Sequence, residues 1–94
     1  MVDMARWGPM LAAAGIRVTS QRLLVLDVLA AHRQPVSAQR VHTELQDRGE
    51  HTGLTTVYRA LASMTEAGFV HAFTHTGEYT SVKQLTTDID RYLR

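Results

Sequence analysis

The 94-residue chain has no cysteine, which excludes disulfide staples, thiolate zinc sites and thiol catalysis together. Stability has to come from packing. No apolar run approaches the roughly 20 residues a helix needs to cross a bilayer. The opening "MVDMARWGPM" lacks both the basic segment and the continuous apolar segment of a secretory leader. A soluble, cytoplasmic protein without membrane contact is expected. Glycine-rich phosphate loops are missing too, since "THTGEY" places one glycine in a turn. No Ser-His-acid grouping has a motif context, and Asp88 and Asp90 stand two apart in an expected helix, on different faces. Neither catalysis nor a cofactor is expected.

What is present suits one compact domain: 45% of the residues are apolar, enough for a single modest core. The formal charge of +1 is unevenly spread, with six Arg against four acids in residues 1–48. Nine of the ten basic residues are Arg. A GC-rich genome produces that bias, and so does a surface that meets phosphates and guanine edges.

Apolar spacing predicts a chain of helices. The first runs from Pro9 to Ala14 and closes at Gly15; Asp3 to Trp7 stay unassigned, because Pro9 would kink a longer helix. Thr19 caps the second, which reaches about His32 and is apolar enough to lie in the middle of the core. After Gln34-Pro35, Ser37 caps a third helix carrying Ala38, Val41 and Leu45, stopped by Gly49. The fourth starts near Gly53 or Leu54 and ends at Gly68, burying Val57, Ala60, Leu61 and Met64. From Phe69 to His75 the period changes to two, Thr76-Gly77 supply a turn, and "EYTSV" returns as a second strand. Residues 83–94 are read as a separate tail with a short helix. Its stripe of Leu85, Ile89 and Leu93 would form a weak homodimer, dock a partner or fold back on the domain.

The expected fold is therefore mainly α with a small β-hairpin wing, a winged helix-turn-helix over residues 1–82. In such a layout the fourth helix enters the major groove of DNA. Its outward positions, Thr55, Thr56, Arg59 and Ser63 with Tyr58 at the boundary, are short and polar. Arg59 suits a bidentate pair with guanine, Tyr58 a thymine methyl, and Thr55 and Thr56 phosphates. The plain alternative is a half-buried core tyrosine beside a solvated arginine.

Three stretches carry a family resemblance: Gly-x-Arg-Val-Thr-x-x-Arg at Gly15 to Arg22, Val-Ser-Ala at Val36 to Ala38, and Thr-Val-Tyr-Arg at Thr56 to Arg59. Over roughly residues 10–80 the chain resembles the N-terminal DNA-binding half of the ferric uptake regulator family. The resemblance implies a bacterial repressor of transcription that binds double-stranded DNA at an AT-rich palindrome. It places Arg17 in the minor groove, Tyr58 and Arg59 on bases, and Gln21 and Arg22 at the backbone; Thr19, Thr55 and Thr56 complete the expected DNA-binding set. For Arg22, a surface ion pair with an acid is the alternative.

The chain also departs from the pattern. A metal-binding dimerisation domain after the wing is not expected, and Gln34-Pro35 replace the histidine usual before Val-Ser-Ala. His71 and His75 would lie roughly 13 Å apart on one strand, at about 3.3 Å per residue, too far to share a metal. His32, His42 and His51 show no partner at ligand spacing. No metal site and no metal sensing are expected. A second functional reading follows, in which the domain is an interaction module that modulates a full-length family member or another partner through its C-terminal helix.

Overall fold

The computed structural model describes residues 4–82. Four helices, α1 (Met4–Ala13), α2 (Ser20–Ala31), α3 (Ala38–Asp47) and α4 (Leu54–Glu66), surround one core, with strands β1 (Val36–Ser37), β2 (Val70–Phe73) and β3 (Glu78–Ser81) along one side. The sheet is antiparallel in the order β1-β3-β2. This is the expected winged helix-turn-helix, mainly helical with a hairpin wing. The tail, with Leu85, Ile89 and Leu93, lies outside the described residues.

The centre is α2. Leu23, Leu24, Val25, Leu26, Val28 and Leu29 are all buried, a face too wide for a surface helix, so its neighbours must cover it on several sides. Thr19 caps it as expected, its Oγ1 accepting from the Arg22 N–H at 3.2 Å. Asp27, the one charged side chain in its middle, accepts from Arg48 Nη1 at 2.8 Å at the end of α3. A second tie joins the same helices: His32 Nε2 lies 2.6 Å from Glu44 Oε2, with Arg40 Nε 3.7 Å from that oxygen. In the sequence, no acid stands at ligand spacing from His32. The two are twelve positions apart, and only packing brings them together.

The first helix is longer than expected, running from Met4 with Pro9 inside it. Proline there removes one backbone hydrogen bond and costs about 3 kcal/mol. The helix persists because Trp7 and Leu11, one turn apart, are 2% and 0% exposed in the common core. A ring burying about 150–250 Å² at about 25 cal/mol per Å² contributes roughly 4–6 kcal/mol, enough to offset the proline.

Two further departures concern the sheet. The third strand, β1, has no periodicity to announce it, being two residues long. Ser37 belongs to both β1 and the cap of α3: its extended backbone (φ −74°, ψ 159°) pairs with Glu78, while its Oγ accepts from the Arg40 N–H at 3.1 Å. An N-cap residue takes extended angles anyway, so both roles fit one residue. The hairpin is also shorter than its alternating pattern. Phe73 pairs with Glu78, and residues 74–77 form the turn, with Gly77 at φ +70° and its N–H donating to the Phe73 carbonyl at 2.8 Å. His75 is therefore a turn residue and shares no strand face with His71.

Helix α4 is framed by two glycines in the left-handed region. At Gly49 (φ +85°), α3 ends with Gly49 N–H on the Gln46 carbonyl and Glu50 N–H on the Leu45 carbonyl, both 2.9 Å. At Gly68 (φ +88°), α4 ends likewise, with Phe69 N–H on the Met64 carbonyl at 2.9 Å. This pairing satisfies the last carbonyls and reverses the chain, and a Cβ would oppose it.

Candidate nucleic-acid interface

On α4 the two faces separate cleanly. Val57, Ala60, Leu61 and Met64 are buried, while Thr55, Thr56, Tyr58, Arg59 and Ala62 are exposed. Tyr58 is 47% exposed, so about half of its surface is open to solvent. Among the described residues, neither the Tyr58 nor the Arg59 side chain has a hydrogen bond or ion pair, and Ser63, expected outside, is half-buried.

The remaining sequence-derived residues converge on the same side. Thr19, Gln21 and Arg22 from the start of α2, and Thr56, Arg59 and Ala60 from α4, line one shallow open depression. Five of the eight site residues thus meet where the two helices adjoin, although thirty-four positions separate Arg22 from Thr56 in the chain. Thr55 and Tyr58 extend the surface along α4. Arg17 lies on the exposed loop between α1 and α2, next to Val18, which is 37% exposed.

Arg22 makes a contact that its reading in the sequence does not include. It is half-buried, and its Nη1 donates to the Arg17 carbonyl at 2.6 Å. Among the described residues no acid pairs with it. Its partner is backbone, a bond that no residue-type pattern announces.

Charge is also sorted across the domain. The ion pairs among the described residues take Arg40, Arg48 and His32 with Glu44 and Asp27, all between or along α2 and α3. Arg17, Arg22, Arg33 and Arg59 are left without an acid in hydrogen-bonding range among the described residues, and three of them, Arg17, Arg22 and Arg59, belong to the candidate surface, where their positive field faces outward. The wing contributes exposed Thr74, His75 and Thr76 at its tip, and His71 packs edge-on to Phe73 with ring centres 4.7 Å apart. Among the described residues no three His, Asp or Glu side chains come close enough together to hold a metal ion. His32 and Glu44 offer two donors with a guanidinium beside them, a poor setting for a cation. No helix among the described residues is long and apolar enough to cross a membrane.

Similarity to known proteins agrees with this geometry. The zinc uptake regulation protein of Mycobacterium tuberculosis is 48% identical over 69 residues, covering 72% of this chain and 53% of that protein. A solved zinc uptake regulator, complexed with zinc and DNA, superimposes with a TM-score of 0.73 at 32% identity, covering 83% of this chain and 52% of the other. The ferric uptake regulator of Vibrio cholerae superimposes with a TM-score of 0.69 at 38% identity, covering 79% and 60%. The chain spans about half the length of the curated relatives it matches. The model of the ferric uptake regulator family matches residues 13–90, and on that extent of agreement the chain belongs to the ferric uptake regulator family.

Proposed function

We propose that this chain is a sequence-specific DNA-binding regulator of transcription, with α4 in the major groove and the loop carrying Arg17 over the adjacent minor groove. The observation that supports the reading is the joining of Thr19, Gln21, Arg22, Thr56 and Arg59 around one depression, beside a tyrosine 47% exposed. The outer face of α4 is short-chained around Arg59, which lets a helix approach base edges closely. Arg17 suits a narrow, negatively charged groove, so AT-rich flanks are favoured. A zinc uptake regulator of the same fold was solved on DNA, which is consistent with this use of the surface.

In this reading residues 4–82 need no metal of their own to meet DNA, and an operator made of two half-sites takes two copies of the chain. Sedimentation with a family-type AT-rich palindrome and with a single half-site, at low salt, tests both points. Two copies on the palindrome, one on the half-site, and affinities unchanged by chelator are expected. Absence of binding at low salt, or binding that appears only with added divalent metal, would overturn the proposal.

A further inference from the structure

The loop between α1 and α2 is fastened at both ends. Ile16 packs against the core and its N–H donates to the Leu11 carbonyl at 2.9 Å, while Thr19 caps α2. Between these anchors Arg17 and Val18 are exposed. Among the described residues, the Arg17 carbonyl is held by one side chain, the guanidinium of Arg22 at 2.6 Å. That same side chain lines the depression with Thr56, Arg59 and Ala60 of α4. Arg22 thus stands between the two elements that the proposed function assigns to the two grooves.

We propose that Arg22 is a positioning residue for Arg17. It fixes the Arg17 loop relative to α4, so that minor-groove and major-groove readings keep one register, and it is not an independent phosphate contact. A charge-assisted bond from a rigid planar fork holds a carbonyl in one direction. Arg22 also lines the depression shared with Arg59. A lysine keeps the charge but presents a rotating point donor on a flexible stem, so it does not reproduce that constraint. The inference rests on Arg17 and Arg59 meeting DNA as proposed above.

The test is anisotropy of Arg17→Ala, Arg22→Ala, Arg22→Lys and the Arg17→Ala/Arg22→Ala double variant on duplexes with AT-rich or GC-rich flanks, across a salt series. Circular dichroism selects the folded variants, and Arg22→Lys serves if Arg22→Ala does not fold. The expected result is that Arg22→Ala and Arg22→Lys both lose the AT-flank preference as Arg17→Ala does. The double variant should be within about twofold of Arg17→Ala, because the two residues act through one contact. An independent phosphate contact gives the opposite pattern. Arg22→Ala then weakens both flanks equally, lowers the salt slope by about one and adds to Arg17→Ala, while Arg22→Lys behaves as wild type. That pattern would overturn the inference and leave the proposed function standing. If Arg17→Ala itself leaves the flank preference unchanged, the role of Arg17 falls and the inference falls with it.

Discussion

Arg59→Ala separates what α4 does for DNA from what it does for the fold. The Arg59 side chain is exposed and has no intramolecular partner among the described residues, so truncating it removes no packing. Exposed substitutions of this kind usually change stability by within about 0.5 kcal/mol. A bidentate pair with guanine is worth about 1–3 kcal/mol of discrimination, which converts to roughly 5- to 150-fold in affinity. The variant should therefore melt like the wild type and bind its operator at least about fivefold more weakly, with the loss confined to the base that Arg59 reads. Thermal melting by circular dichroism gives the first quantity. Anisotropy on duplexes changed one base pair at a time gives the second. Unchanged affinity would refute the assignment of Arg59, and an equal loss on every duplex would make it a phosphate contact without base preference.

The opposite face of the same helix should respond in reverse. Leu61 is 0% exposed, so Leu61→Ala should cost about 2–5 kcal/mol and lower the melting temperature by at least about 8 °C in a domain this size; a melt within a few degrees of wild type would contradict the packing described. Gly68 sits at φ +88° with nothing within 4 Å of an added Cβ, so Gly68→Ala meets a backbone penalty alone, about 1–2 kcal/mol, measured by urea denaturation. Pro9→Ala should stabilise α1 by up to about 3 kcal/mol by restoring a helical N–H; an unchanged urea midpoint would show that the helix does not continue through Pro9.

Much of the architecture was legible because local chemistry and tertiary packing agree. Thr19 and Ser37 announced helix starts, Gly15, Gly49 and Gly68 announced helix ends, and the spacing of Val57, Leu61 and Met64 named the buried face of α4 before any contact was known. The illegible parts are those where a local rule loses to a distant contact. Pro9 argued against a long first helix, and the burial of Trp7 and Leu11 overruled it. β1 has too few residues for a period and exists because β3 lies beside it. The wing pattern from Phe69 to His75 runs past Phe73, where residues 74–77 turn the chain, so His75 lies in the turn and not on the strand.

The functional surface divides in the same way. The residue types on the outside of α4, and the Thr-Val-Tyr-Arg run that carries them, are properties of the chain alone, since helical periodicity decides which side chains face the core and which face out. That Thr19, Gln21 and Arg22 adjoin Thr56 and Arg59 depends on how α2 packs against α4. That Glu44 and Asp27 are occupied by His32 and Arg48 instead of the interface arginines depends on how α2 packs against α3, whereas the bond from Arg22 to the Arg17 carbonyl spans five positions and is set by the turn into α2. Periodicity acts over a few residues and can be read along a strand of letters, whereas partner choice among charged groups depends on which helices are pressed together by a core twelve to forty positions away.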